Sequence, residues 1–553
     1  MSINSDNINN NNILAEMLFP NISSDLSLLE QRFPPRNLPE GAKVTRIGPS
    51  PTGFVHLGNL FNALIGERLA HQSGGVFFLR IEDTDAKREV PGAVAAIIEL
   101  MDFFGVHFDE GATVDGDNGA YGPYRQRQRK DIYQSVAKYL VQQGCAYPCF
   151  CTEEEVAAVR EQQIEAKLNF GYYGSFAACR QLGLDEVQAK LNQGMPWVLR
   201  FRSNGDAENH VAVMDAIRGE LQVQENYQDF VLLKSDGIPT YHFAHVVDDH
   251  LMRTTHVVRG EEWLATLPMH VQTFDALGWE RPLYCHTAQL MKMDGEVKRK
   301  LSKRHDPELA LSYYQSEGYA PRVLWEYLLT VLNSNYEEWR LANPDAPLED
   351  FAFTTEKMGT SGALFDTVKL RDISKDVLFA MSADEVYEQL CAWCDIYDEE
   401  FAALLRRDPD YAKRVLSLGK SGDRPRKDLV TWRQAVEFLA FYYDERFVLE
   451  DNFPEPVSAD DRREIISRYL ELIDFNDDNE QWFAKVRLIC EELNYALQPK
   501  KYKKNPELYR GSVVDVSNTI RVAVTGRLNS PDLWEVSQAL GEQCVVKRLQ
   551  AVL

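Results

Sequence analysis

Two rhythms of apolar and polar positions divide this chain. "KVTRIG" at Lys43–Gly48 predicts a short buried strand, and "PSPTG" after it is turn chemistry. From Phe54 to His71 apolar residues recur at helical spacing, and Gly74–Gly75 ends the run. "VFFLRIED" is a continuous apolar strand ending in acids. "PGAVAAIIELMDFFGV" is the next helix, with Pro91 near its first turn. Strand and helix in this alternation predict a parallel sheet with crossover helices. The alternation lapses between Cys149 and Glu225, which predicts an inserted module. From Asp229 to Gly260 the pattern resumes the strands, and a helix follows through "LPMHVQTFDALG". After Leu301 the chain turns mainly helical, with amphipathic stretches at "PRVLWEYLLTVL", "ADEVYEQLCAWC", "TWRQAVEFLAFYY" and "REIISRYLELI". No repeat of fixed period is present. The predicted class is an α/β front half followed by an all-α rear half.

Composition narrows this picture. A length of 553 residues suggests three or four domains, and 44% apolar residues suffice for their cores. No apolar run is long enough to cross a bilayer, so no membrane partner is expected. The Asn-rich start "MSINSDNINNNN" has no basic and apolar signal pattern, and its composition predicts poor order up to Pro39. Nine scattered cysteines do not form a disulfide framework, which points to a reducing cytoplasm. The net charge of −24 argues against a non-specific nucleic-acid binder but leaves a specific one open. Basic clusters occur at Lys298, Arg299, Lys300, Lys303 and Arg304; at Arg406, Arg407, Lys413 and Arg414; at Arg424, Arg426 and Lys427; and at Lys500, Lys501, Lys503 and Lys504. Each one alone reads as a solvated face.

"RIGPSPTGFVHLGN" at Arg46–Asn59 carries chemistry. Gly48, Gly53 and Gly58 allow close backbone approach, and a turn feeding a helix aims N–H groups and a positive dipole end at a phosphate. His56 and Asn59, three apart, share a face once the helix has begun. Neither G-x-G-x-x-G nor G-x-x-x-x-G-K-[ST] is present. On spacing alone, the preferred reading of His56 is a residue that merely starts a helix beside a turn. The stretch closely resembles the His-Ile-Gly-His signature region of class I aminoacyl-tRNA synthetases, and Pro-Ser-Pro-Thr-Gly before the histidine is similar to the bacterial-type glutamyl branch. Asn59 stands at the fourth signature position, where His is usual. "KRKLSKRHDPE" at Lys298–Glu308 resembles the Lys-Met-Ser-Lys-Ser signature of the same class, in the right order and separation.

The resemblance implies a Rossmann-like parallel sheet with an inserted α/β acceptor-binding module, then an all-α anticodon-binding region. The implied division is a poorly ordered leader over 1–40 and catalytic segments over 41–148 and 227–310. Between these lies the module at 149–226; a stem-contact region at 311–372 and a helical anticodon-binding domain of two subdomains at 373–553 follow. That last region sets the chain apart from a short relative that glutamylates a modified nucleoside. The implied chemistry is activation of L-glutamate with ATP and Mg²⁺, then transfer to the terminal 2′-hydroxyl of tRNA(Glu), by a monomeric cytoplasmic enzyme. His56, Lys300 and Lys303 are the implied catalytic residues. Gly53, His56, Gly58, Asn59, Leu301, Ser302 and Lys303 would hold ATP. Arg46, Ser50, Glu82, Tyr241, His245 and Arg259 would hold glutamate. Physically, adenylyl transfer needs positioning and cations on phosphate oxygens, not a covalent intermediate. A ligand with two carboxylates and an ammonium needs arginines and an acid. Asp83 and Asp85 read as helix caps, and Asp248 and Asp249 as structural or ribose-contacting.

Cys149 and Cys151 in "YPCFC", with Cys179 further on, start a structural Zn²⁺ site. Three small buried cysteines are the equal alternative. Position 181 is Gln, where some bacterial glutamyl enzymes have His. Related enzymes use a tyrosine, which makes Tyr173 the expected fourth ligand. Two rival readings stay open: an enzyme that also charges tRNA specific for glutamine, and a non-catalytic tRNA-binding protein.

Overall fold

A computed structural model describes residues 5–302, 305–420 and 427–553. Two compact units emerge, residues 1–313 with 325–366 and residues 314–324 with 367–553.

The first unit opens with α1 (Ser5–Leu18) and α2 (Leu26–Arg32). This corrects the expectation of a poorly ordered leader. The Asn-rich face is exposed, while Ala15, Leu18 and Phe19 are buried. Lys138 Nζ donates to the carbonyls of Phe19 (2.9 Å) and Ile22 (2.8 Å). Asp25 caps α2 by accepting from the Ser27 N–H at 3.0 Å. Arg36 grips Glu110 through two bonds of 2.9 and 3.0 Å. Average composition hid an apolar stripe that a helical spacing test over so short a segment does not separate from polar background.

Next come β1 (Val44–Ile47), α3 (Leu57–His71), β2 (Val76–Leu79), α4 (Ala93–Phe103), β3 (Glu110–Ala112), the two-residue β4 (Asp117–Asn118) and α5 (Lys130–Gln142). The inserted part holds β5 (Ala146–Cys149), α6 (Glu153–Glu165), α7 (Leu184–Asn192) and β6 (Val198–Phe201). Then follow β7 (His210–Asp215), β8 (Gly219–Gln224), β9 (Val231–Leu233), α8 (Tyr241–Leu251), β10 (His256–Gly260), α9 (Leu267–Leu277) and β11 (Leu283–Thr287). The hairpin β12 (Leu290–Asp294) and β13 (Val297–Lys300) leads into "KLSKR". β1–β2, β2–β3 and β10–β11 pair in parallel, as the alternation predicts. The two sheets meet where the Thr255 N–H donates to the Val44 carbonyl at 2.9 Å and the Val44 N–H to Thr255 Oγ1 at 2.8 Å. That junction sets Arg46 on β1 beside Arg259 on β10.

Two expectations shift. The segment 229–260 is not all strand, because "YHFAHVVDDHL" is α8. Phe243, Val247 and Leu251, four apart, are all buried, which is a helical period. The hairpin β7–β8, placed in the module by sequence, joins the sheet of β10 and β11 instead, with Asp215 opposite Tyr284 on β11. The module proper is the antiparallel sheet β5–β6–β9 around Tyr147, Cys149, Phe150, Tyr172 and Cys179, against which Leu14 and Met17 of α1 pack. Strand pattern alone does not name a partner strand.

Among its described residues the second unit is helical. The predicted stretches form helices Pro321–Leu332, which crosses the division between units, Ala383–Tyr397, Trp432–Leu439 and Ala459–Leu472. Ser382 and Ser458 cap two of them, accepting from the N–H of Glu385 and Asp461. Ile465, Tyr469, Val486, Ile489, Val516, Ile520 and Val545 form its terminal core. Arg406 pairs with Asp395 (2.6 Å), Arg407 with Glu445, and Lys413 with Asp384 (2.5 Å), so that basic cluster is largely neutralised. Lys303, Arg304, Arg424 and Arg426 lie outside the described residues.

Phe33, 1% exposed, lies under the Arg129 guanidinium and stacks on Tyr121. Phe33→Ala is expected to destabilise the first unit by about 3–5 kcal/mol, a core-like loss. Urea unfolding measures it, and a change below roughly 0.5 kcal/mol would restore the disordered leader.

Candidate functional site

The turn after β1 delivers His56 to the N-terminus of α3. The helix begins at Leu57, so His56 is its cap residue in extended backbone (φ −115°, ψ 162°). Asn59 turns back and accepts the His56 N–H at Oδ1 (3.0 Å), closing the turn rather than standing beside the imidazole on a shared face. A Cβ at Gly58 would sit 3.0 Å from His56 Nδ1, so the glycine makes room for the ring. The chain beyond "KLSKR" returns here: His56 bridges Ala310, and the Leu311 N–H donates to the Val55 carbonyl at 3.0 Å. A cavity of about 380 Å³ is thereby lined by His56, Gly58, Lys300, Leu301 and Ser302, with Gly260 and Thr287 in its wall. Gly53 and Asn59 stand outside that lining. The foot of the Lys300 loop is tied by Asp306, which accepts from Arg299 (2.6 and 2.8 Å) and from the Ser302 N–H (2.8 Å). Lys303 lies outside the described residues.

Beside the cavity is a buried charge lattice. Asp249 on α8 accepts from Arg46 Nε (3.1 Å) and Nη2 (3.2 Å), and from Arg80 Nη1 (2.7 Å). Arg80 Nη2 donates to Glu82 at 3.0 Å. A Cβ at Gly48 would come within 2.3 Å of Glu82 Oε1, so only glycine leaves that carboxylate its place. Burial pushes the Glu82 carboxyl up, against the pull of Arg80 and Arg46. Burial acts likewise on Asp249, but there Arg46 and Arg80 prevail and hold it well below the carboxylate range. Tyr241 lies 4.1 Å from Trp263, ring to ring, and its hydroxyl accepts from Arg259 Nη1 at 3.3 Å. His245 is fully buried, with Nε2 3.1 Å from the Tyr284 hydroxyl. Its Nδ1 is 2.5 Å from Asp249 Oδ2, off the line of a hydrogen bond. Burial drives the His245 imidazole down to about 3 and His242 to about 4, so both are neutral. Ser50 is exposed in the bend.

The structure thus gathers Arg46, Glu82, Tyr241, His245 and Arg259 around α8. Sequence reading missed Arg80, His242, His270, His286 and Asp215, because no spacing marks residues that meet only through α8, α9, β7 and β11. Asp83 does not cap α4, the helix that follows it: it accepts the Arg127 N–H at 2.9 Å, in the first turn of the short 3-10 helix Gln126–Arg129. Asp85 pairs with Arg88. Asp248 binds Arg129 (2.7 Å), Tyr133 (2.7 Å) and Gln126 (2.9 Å), a structural hub.

In the module, the thiol sulfurs of Cys149, Cys151 and Cys179 lie within 4.8 Å of one another. The expected fourth residue is corrected. Tyr173 turns away, its hydroxyl donating to the Asn169 carbonyl, whereas the Tyr172 hydroxyl lies 3.4 Å from Cys149 Sγ and 3.2 Å from Cys151 Sγ. Adjacent tyrosines point to opposite sides of extended backbone, so a shift of one residue decides between them. Arg200 on β6 sits 3.9 Å over the Tyr172 ring. Bonding from Cys179, aided by Tyr172 and Arg200, pulls the Cys149 thiol down to about 4 against its burial. Three thiols and a phenol at these distances fit a structural Zn²⁺ site.

Residues 43–372 match the family of class I tRNA synthetases (E and Q), catalytic domain, and residues 512–553 match an anticodon-binding domain. The glutamate–tRNA ligase of Acetivibrio thermocellus is 55% identical over 541 residues, 98% of this chain and 99% of its own. That of Clostridium perfringens strain 13 is 48% identical, covering 97% and 99%. A crystal structure of a glutamate tRNA ligase from Elizabethkingia meningosepticum superposes with a TM-score of 0.71 at 26% identity, covering 92% of this chain and 99% of that one.

A histidine held neutral by burial takes up a proton on unfolding once the pH is below its ordinary value. Its contribution is therefore intact above the ordinary value of 6.5 and is lost as pH falls toward the folded value of about 4. Unfolding free energy is expected to drop through that window, and His242→Gln to flatten the slope there. Denaturation at a series of pH values checks it.

Proposed function

This chain belongs to the glutamate–tRNA ligase family of class I tRNA synthetases, and from that membership we propose how its catalytic unit works. A glutamate carboxylate attacks the α-phosphate of ATP and pyrophosphate leaves; the glutamyl group then passes to the terminal 2′-hydroxyl of tRNA(Glu). ATP lies in the cavity at the mouth of α3, where N–H groups and the helix dipole face its phosphates. His56 donates from one side, and Lys300 and Lys303 supply point charges from the other. Mg²⁺ carried with ATP is held mainly by phosphates and water. Arg259 takes a substrate carboxylate and Glu82 the ammonium, with the Tyr241 hydroxyl between them. Arg46 and His245, engaged by Asp249, shape the wall of that pocket, and Ser50 lies at its rim.

The reading is supported chiefly by one observation: His56 and Lys300, remote in sequence, line one cavity together with Gly260 and Thr287, the paired strand neighbours of Arg259 and His286. The catalytic segments are 41–148 and 227–310, extended by the hairpin 210–224. The rest of the 149–226 module receives the tRNA acceptor end, 311–372 the stem, and 373–553 the anticodon. The enzyme is a cytoplasmic monomer. Cys149, Cys151, Cys179 and Tyr172 hold a structural Zn²⁺ that keeps the module folded.

Lys300→Ala is expected to slow tRNA-dependent pyrophosphate exchange roughly 100-fold while glutamate binding changes little. Equal loss of both would remove Lys300 from the phosphates. Purified protein is expected to carry stoichiometric zinc by mass spectrometry. Cys149→Ser should lose it and Tyr173→Phe should keep it; a metal-free wild-type chain would leave a plain buried thiol cluster.

A further inference from the structure

The three arginines of the buried lattice are held in two different ways. Arg46 and Arg80 are neutralised inside the protein by Asp249 and Glu82. Among the described residues no carboxylate makes an ion pair with Arg259, although only 4% of its surface is exposed. Its Nε donates to His286 Nε2 at 3.0 Å, and its Nη1 reaches His270 Nδ1 and the Tyr241 hydroxyl, both at 3.3 Å. Nη2 is buried with no hydrogen-bond partner.

Each imidazole can accept only if its tautomer is fixed from behind. His286 Nδ1 lies 2.7 Å from Asp215 Oδ2, so the proton sits on Nδ1 and the Nε2 lone pair faces Arg259. Asp215 is itself pinned by the N–H groups of His286 (3.0 Å), Ile217 (2.9 Å) and Arg218 (2.9 Å). His270 is arranged the other way round. Its Nδ1 accepts from Arg259, and its Nε2 passes the proton toward His242 Nδ1 at 3.1 Å. All of these side chains but the half-buried His242 are almost wholly buried.

We infer that His286, set by Asp215, and His270, set by His242, are positioning residues that aim Arg259 with neutral acceptors and so leave its charge for a carboxylate of the amino-acid substrate. A carboxylate in either place would hold the guanidinium equally well but cancel the charge that the substrate must meet. A protonated imidazole would turn a donor toward a donor. The inference rests on Arg259 taking a substrate carboxylate, as proposed above.

Aminoacylation kinetics at saturating ATP and tRNA test it. Asp215→Asn offers an amide N–H where His286 needs an acceptor, which flips the imidazole so that Nε2–H confronts Arg259. This variant, His286→Ala and His270→Ala are expected to raise KM for glutamate at least tenfold, with kcat and KM for ATP changed less than threefold. His286→Gln and His270→Asn, which keep an acceptor near Nε2 and Nδ1 respectively, should recover much of the loss seen in the alanine variants. A glutamate KM within twofold of wild type in Asp215→Asn and both alanine variants overturns the inference. So does a uniform fall of kcat without a KM change, or failure of the conservative variants to do better than alanine. Arg259→Ala is the separate control: if it leaves the glutamate KM unchanged, the assignment of Arg259 to the substrate fails, whatever the histidines do.

Discussion

Asp249 is the constraint on which the catalytic unit depends. One buried carboxylate on α8 receives Arg46 from β1 and Arg80 from the end of β2, with Thr254 at 3.1 Å and His245 against its second oxygen. A carboxylate so placed fixes the rotation of α8 against both strands. It is a poor source of net stability, since desolvating the ions offsets most of their attraction. Removing it would strand two guanidiniums in the interior, which is far worse. The lattice therefore works as a specification of geometry, and the geometry it specifies is that of the pocket.

Charge in this lattice bears on the amino-acid ligand. Arg46 and Arg80 are paired with Asp249 and Glu82, whereas among the described residues Arg259 makes no ion pair and meets only neutral partners directly. Glutamate brings one carboxylate more than a neutral amino acid does. A ligand that left the Arg259 guanidinium without a carboxylate would leave a buried donor unpaired, and that penalty is a source of selectivity independent of shape.

How much of this was legible in the sequence depended on distance along the chain. Gly48, His56, Gly58 and the Lys300 loop sit in two short stretches whose composition is odd enough to read directly. The strand–helix alternation around them gave the parallel sheet, because period 2 and period 3.6 are local properties. Arg80, His270, His286 and Asp215 could not be read, since each looks like an ordinary strand or helix residue until β7, β10, β11 and α9 are brought together. Tyr172 and Tyr173 show the same limit at its finest scale: composition names a tyrosine, and only the backbone says which one. The leader failed for the opposite reason. Its average polarity was read correctly, but a stripe of few residues, Ala15, Leu18 and Phe19, was enough to dock it.

The two walls of the cavity are built on different principles. The half-buried α3 mouth, with the buried arginine lattice beside the cavity, is multiply bonded and fixed before any ligand arrives, which is the condition for electrostatic stabilisation without reorganisation. The opposing wall hangs from β13 and is tethered through Asp306 to Arg299 and the Ser302 N–H, while Lys300 itself remains exposed. A guanidinium suits the first wall, because its planar fork loses little freedom when held. An ammonium on a long stem suits the second, because phosphate charge shifts from non-bridging to leaving oxygens during transfer and a point charge can follow it. The placement of arginine in the lattice and lysine on the loop is then a consequence of which wall must stay still.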